Sequence, residues 1–171
     1  KVISFVLNLR RRSLRPIYMC RHGGTDNTGQ VVGTDFGLSE IGCNFADALN
    51  QYLATEIHQP EVSLTVWCST AKRARTTSKH INSTRQVEWR ALRDLDAGVF
   101  DGLSYERIQE QYPKEAAARK ANKLNYRYPR GESYMDVISR LEPVIFELER
   151  QEGPVLIVAH QAVLRCLYSY Y

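Results

Sequence analysis

The 171-residue sequence has no apolar run near the roughly 20 residues needed to cross a bilayer; its longest, Val155-Leu156-Ile157-Val158-Ala159, fits a strand. No membrane span is expected. The opening Val2 to Leu7 run is too short for a signal-peptide core and is followed by no small-residue cleavage pattern. With no initiator methionine, the sequence reads as a fragment. Cysteine is sparse: Cys20, Cys43, Cys68 and Cys166 are scattered without metal-ligand spacing, and His58 and His80 have no ligand partner nearby in sequence, so no metal site is expected. Thiols in or beside apolar runs suit a reducing, cytoplasmic setting. There is no internal repeat, no low-complexity tract and no Gly-x-Ser-x-Gly nucleophile elbow.

Hydrophobic residues make up 43% and charged residues 25%, the balance of one ordinary globular domain. Lys and Arg outnumber Asp and Glu by 23 to 19, with clusters at residues 10–12, 72–75 and 127–130. Such clusters are usually solvated faces; the excess also points to an anionic partner. A small molecule is expected here, with neither nucleic acid nor membrane as a partner.

Periodicity predicts alternating strands and helices. Residues 17–20 form a short apolar strand that follows Pro16 and ends in charge and glycine. A polar, Gly-rich loop leads to Ser39, which offers a cap for a helix to about residue 56 with Ile41, Phe45, Leu49 and Leu53 as its apolar stripe. Residues 64–68 form a second strand, Ser69 is the expected cap of a helix to about residue 81, and residues 87–89 form a third strand. Residues 90–130 are polar and aromatic, with helical pieces at 104–111 and 113–122, and read as an inserted lid. An amphipathic helix over 132–150 stops at Gly153-Pro154, and a fourth strand, 155–159, precedes a last helix from Gln161. The expected fold is α/β, three layers with a mainly parallel sheet and helices on both faces.

Three of these strands end in groups suited to phosphate chemistry: Arg21-His22, Ser69 with Arg73 one turn into the next helix, and His160. Open α/β sheets bind ligands beyond the carboxyl ends of their strands, so these groups are expected to converge. Arg supplies planar, permanently charged donors for the oxygens of a phosphoryl group in transfer. A neutral imidazole can attack phosphorus while a second, protonated one donates to the developing charge. The leaving alkoxide needs a proton, for which Asp94 is the candidate and Asp96 its rival. A Cys nucleophile fits worse, because Arg73 follows Cys68 by five positions rather than six, and Cys20 has Asp26 at six.

Arg21-His22-Gly23 after an apolar strand, Asn27 in the loop, Arg73 after Ser69, and His160 after the last strand resemble the histidine phosphatase superfamily, which includes the phosphoglycerate mutases. Tyr105, residues 119–123, residues 126–134 and residues 160–166 look like the fructose-2,6-bisphosphatase domain of the bifunctional 6-phosphofructo-2-kinase/fructose-2,6-bisphosphatase family, and residues 1–16 resemble the linker that follows the kinase there. The resemblance implies a phosphoglycerate mutase-like fold and one phosphatase domain over residues 1–171, with a kinase domain N-terminal to it. No cofactor is implied. His22 would form a phosphohistidine; Arg21, Asn27, Arg73 and His160 would clamp the phosphoryl group; Asp94 would protonate the leaving oxygen. Tyr105, Arg119, Lys123, Tyr134, Gln161 and Arg165 would hold the sugar and 6-phosphate of a sugar bisphosphate. No Walker-type Gly-Lys loop is present.

Two departures stand out. The family usually places Glu and Ser after the glycine, where Gly24 and Thr25 stand, with the loop to Asn27 one residue shorter; its acid is normally Glu, one methylene longer than Asp94. Three activities therefore follow as expectations: hydrolysis of the 2-phosphate of fructose 2,6-bisphosphate, a mutase-like or broad sugar phosphatase, or an impaired sugar-phosphate-binding domain.

Overall fold

A computed structural model describes residues 15–27, 31–56 and 63–171. Most of the linker-like lead-in, the 10–12 arginine cluster and His58 lie outside the described residues. Four strands form one parallel sheet: β1 (Ile17–Arg21), β2 (Thr65–Ser69), β3 (Arg85–Trp89) and β4 (Val155–Ala159), in the spatial order β1-β4-β2-β3. Register sets Ile17 opposite Val155 and Arg21 opposite Ala159, so β1 and β4 end level with one another. Cys68 lies opposite Val158, which brings the end of β2 to the same rim.

β4 is buried at every residue, as a strand covered on both faces must be. Its side chains alternate. Val155, Ile157 and Ala159 join Trp67, Val137, Leu141, Val144, Leu148, Val163 and Leu167 on one face, under α5 (Tyr134–Arg150) and α6 (Gln161–Tyr170). Leu156 and Val158 join Val66, Cys68, Leu53 and Ala74 on the other, under α1 (Glu40–Glu56) and α2 (Lys72–Ser78). This is the three-layer α/β arrangement expected from the sequence.

Local departures have physical causes. Ser39 does cap α1, its Oγ accepting from Gly42 N at 3.1 Å, but the buried face is Gly42, Ala46 and Leu53; Ile41 and Phe45 are exposed. The helix is rotated because the loop after β1 sits against its first turn, where a Cβ on Gly42 would come within 2.0 Å of Gly24 O and one on Gly23 within 2.5 Å of Gly42 O. Two glycines thus allow backbone-to-backbone contact that larger residues forbid.

Ser69 is the last residue of β2 rather than a helix cap; α2 starts at Lys72, with Arg73 in its first turn, and ends at Ser78. α5 begins at Tyr134, two residues later than its sequence pattern suggested. Ser133 and Asp136 form a reciprocal capping box there.

Between β3 and α5 the chain makes two 3-10 turns and the helices α3 (Tyr105–Gln111) and α4 (Pro113–Ala121). This segment has a small core of its own, built on Ala97, Phe100, Ile108 and Tyr128. Its two ends are tied, Glu132 N donating to Asp96 O at 2.9 Å.

Candidate active site

The three strand ends deliver their side chains to one place. The His22 and His160 ring centroids are 5.1 Å apart, and Arg73, whose side chain is only 7% exposed, reaches between them. Its Nε donates to His22 Nε2 at 3.1 Å and to His160 Nδ1 at 3.3 Å. Nη1 donates to Thr34 O and to Asp35 Oδ1, and Nη2 to Asp94 Oδ2 at 3.2 Å.

These bonds decide the tautomers. His22 Nδ1 lies 2.8 Å from Gly23 O, which can only accept, so Nδ1 carries the proton and Nε2 keeps its lone pair. Burial lowers the His22 pKa below its ordinary value, with Arg73 and Arg21 reinforcing this and the Gly23 bond and Asp94 opposing it. A neutral imidazole thus presents Nε2 to the cavity at neutral pH. His160 has the other tautomer: Nδ1 accepts from Arg73, and Nε2 donates to Ser69 Oγ at 2.9 Å. Ser69 in turn accepts from Ala71 N, so its hydroxyl anchors this histidine rather than a helix.

His160 is wholly buried, and burial followed by the charges of Arg73, His22, Arg140 and Arg93 pushes its pKa down to about 2. These surroundings favour the neutral imidazole over the protonated donor expected for the second histidine. An incoming phosphoryl dianion would favour the protonated form, since it opposes the same cationic field.

Asp94 Oδ2 is 3.7 Å from His160 Nδ1, and Oδ1 accepts from Leu95 N at 3.0 Å. Its carboxyl reaches the reactive cluster despite the shorter side chain. The rival Asp96 turns away, accepting from Gly98 N through Oδ1.

All of the expected site residues converge. One cavity of about 290 Å³ is lined by Arg21, His22, Asn27, Arg73, Asp94, Tyr105, Arg119, Lys123, Tyr134, Gln161 and Arg165; His160 does not line it but accepts from Arg73, which does. Asn27 also closes its own loop. Its Nδ2 donates to Val31 O and its Oδ1 accepts from Val31 N, so much of its hydrogen-bonding capacity is committed to the backbone.

Elsewhere in the lining, Arg119 donates to Tyr105 Oη at 3.2 Å and stacks 4.8 Å from that ring's centroid. Partial desolvation, then Arg119 and Arg165, lower the Lys123 pKa. Three cations close enough to act on one another therefore line the cavity.

Several contributors escaped the sequence reading. Asp35 pairs with Arg73 and also accepts from Lys72 N at 2.8 Å. Thr77 Oγ1 accepts from Gly23 N at 3.0 Å and fixes the backbone next to His22. Tyr128 is another lining residue, its phenol pushed up to about 12 by burial. Asp35 and Thr77 stand in no pattern that separates them from ordinary polar residues, beyond the hint of a charge inside a Gly-rich loop, and Tyr128 falls in the 126–134 segment that carries the family resemblance but had no role assigned there.

The model of the histidine phosphatase superfamily (branch 1) matches residues 17–171. The chain belongs to this superfamily. This histidine phosphatase is 45% identical over 172 aligned residues to the fructose-2,6-bisphosphatase of Saccharomyces cerevisiae, a match covering 100% of this chain and 37% of that protein. It is 48% identical over 158 residues to 6-phosphofructo-2-kinase/fructose-2,6-bisphosphatase 1 of Mus musculus, covering 92% of this chain and 32% of that protein. The chain thus spans about a third of the length of these curated relatives. Among solved structures, a mycobacterial glucosyl-3-phosphoglycerate phosphatase complexed with VO3 superposes with a TM-score of 0.71 at 28% identity, over 92% of this chain and 81% of that one. The phosphoglycerate mutase-like architecture inferred from the sequence agrees with these findings. Among the described residues no helix is long and apolar enough to cross a membrane.

Proposed function

We propose that this histidine phosphatase hydrolyses the 2-phosphate of fructose 2,6-bisphosphate, giving fructose 6-phosphate and inorganic phosphate. One observation carries the choice of a bisphosphate. Two groups of cations line the cavity: Arg21 and Arg73, which both act on His22, and Lys123 with Arg119 and Arg165, which act on one another. A second, non-reacting phosphate needs such a cluster, and its binding energy can be used to orient the reacting group. The relatives named above bear the same activity in their names.

The chemistry follows from the bonds described. His22 Nε2 attacks phosphorus, forming a P–N bond as the P–O bond to C2 breaks. Asp94 gives its proton to the leaving oxygen. Water then attacks the phosphohistidine, losing a proton to Asp94, and phosphate departs as Nε2 recovers its lone pair. Arg21, Arg73 and His160 hold the transferred oxygens, while Tyr105, Arg119, Lys123, Tyr134, Gln161 and Arg165 hold the distal phosphate and sugar, with Asn27 shaping the rim. Residues 90–130, which carry half of the distal cluster, act as the cover of the cavity.

The test is phosphate release from fructose 2,6-bisphosphate, other sugar bisphosphates and phosphoglycerates, with a chelator present. The bisphosphate should turn over fastest, and His22→Ala should release none. Lys123→Ala should raise KM roughly tenfold or more for the bisphosphate, since a charged hydrogen bond contributes about 1.5–3 kcal/mol, and leave a simple monophosphate unaffected. Equal phosphate release by wild type and His22→Ala refutes the mechanism. Binding without turnover would favour a sugar-phosphate-binding domain instead.

A further inference from the structure

We propose that Glu132 and Arg140 are positioning residues for Asp94, acting on the backbone that carries the acid rather than on substrate. The inference rests on the role given to Asp94 above. Asp94 lies in an irregular stretch between the 3-10 turns Arg90–Leu92 and Gly98–Phe100, so no strand or helix ladder fixes its main chain. A single guanidinium does so. Arg140, on α5, donates through Nη1 to Ala91 O and through Nη2 to Arg93 O at 2.8 Å and Asp94 O at 3.1 Å.

Arg140 is itself oriented by Glu132, with Nε to Oε1 at 2.8 Å and Nη2 to Oε2 at 3.1 Å. Glu132 then grips the far side of the acid: its Oε2 accepts from Asp96 N at 3.0 Å, and its own N–H donates to Asp96 O at 2.9 Å. One ion pair therefore holds the backbone on both sides of Asp94. Its two side chains are 22% and 23% exposed, which limits solvent competition for these bonds. They line a neighbouring cavity of about 650 Å³ that shares Arg73 and Asp94 with the reactive one.

The demand for such a brace comes from the acid. A short carboxyl places its oxygens only as well as its backbone is placed, and small misplacements cost large factors in rate. The fork of Arg suits several acceptors at fixed angles; an ammonium, being a single point charge, does not.

The test compares leaving groups in wild type, Glu132→Gln, Arg140→Lys and Arg140→Ala, at a temperature well below every unfolding midpoint. A sugar phosphate leaves as an alkoxide and needs the acid, whereas p-nitrophenolate departs unprotonated. For the variants, the rate of His22 phosphorylation by the bisphosphate, followed by rapid quench, should fall about 10- to 100-fold. Phosphorylation by p-nitrophenyl phosphate should change less than about threefold, because that step bypasses general acid catalysis. Arg140→Lys should resemble Arg140→Ala in this ratio.

Equal losses with both substrates, or no loss with the bisphosphate, would overturn the brace. The wild-type control keeps it apart from the proposed function. If wild type does not cleave the bisphosphate, that reading fails, and the brace is then judged on whichever alkyl phosphate wild type cleaves through His22; cleavage of none overturns both.

Discussion

Arg73 Nε lies 3.1 Å from His22 Nε2 and donates to its lone pair, so the proposed nucleophile is hydrogen-bonded by the group proposed to hold the phosphoryl oxygens. The same charge helps keep His22 neutral. Arg73→Gln removes it, and His22 should then titrate at a higher pH than in wild type, read by NMR of its ring. Activity should fall about 10²- to 10³-fold, the usual cost of removing one donor to a developing charge. An unchanged or lower His22 titration would contradict this electrostatic account.

Burial of neutral His160 predicts loss of stability in mild acid. The unfolded chain binds a proton on this residue below about pH 6.5, whereas the folded one resists protonation down to about 2. The unfolded state is therefore favoured as pH drops below 6.5, by up to about 1.4 kcal/mol per pH unit, and nothing is lost above it. Urea midpoints at pH 7.0 and 5.5 read the effect while most carboxylates stay ionised. His160→Gln should flatten the slope; an equally steep variant would show that other groups cause it.

Asp94→Asn should leave binding nearly intact and lower kcat for the bisphosphate about 10²- to 10⁴-fold, the range contributed by a positioned acid. The amide can still accept from Leu95 N, so the local backbone has no reason to move. A kcat within threefold of wild type would remove Asp94 from the mechanism.

Gly23 and Gly24 should respond oppositely to a methyl group. At Gly23 a Cβ meets the Gly42 carbonyl at 2.5 Å, and Gly23→Ala should destabilise by about 1–3 kcal/mol, as overpacking does. At Gly24 the nearest atom is Ser39 Oγ at 3.4 Å and the backbone needs no positive φ, so Gly24→Ala should be neutral or stabilise by about 0.4–1 kcal/mol. Thermal unfolding of both variants checks this. The position at which the chain departs from its family thus has room for a side chain.

The strands were legible because short runs rich in apolar residues end abruptly in a polar or charged residue, and their parallel pairing followed from the helices between them. His22 and His160 were legible for the same reason, each directly following a strand, whereas Arg73 sits in a helix and Asp94 in an irregular stretch. What could not be read was set by contacts with no sequence period. Ile41 and Phe45 had the spacing of a core stripe, yet the contact of Gly42 with the Gly23-Gly24 loop turns them outward. Ser69 looked like a cap, and only the proximity of His160 shows what its hydroxyl serves. Glu132 stood at the expected start of a helix and Arg140 within it, and no local pattern shows that the backbone groups they bind lie in residues 91–96.

The pairing of β1 with β4 also has a bearing on time. Among the described residues β4 is the strand that hydrogen-bonds β1, with Ile17 against Val155, and it supplies His160 as well. A ribosome that has made His22 must add residues 23–159 before that strand finds its neighbour, a delay on the order of 10 s at ordinary elongation rates. Until then His22 has neither a partner strand nor its companion imidazole. A chain that stops short of residue 160 therefore lacks the paired histidines on which the proposed chemistry depends.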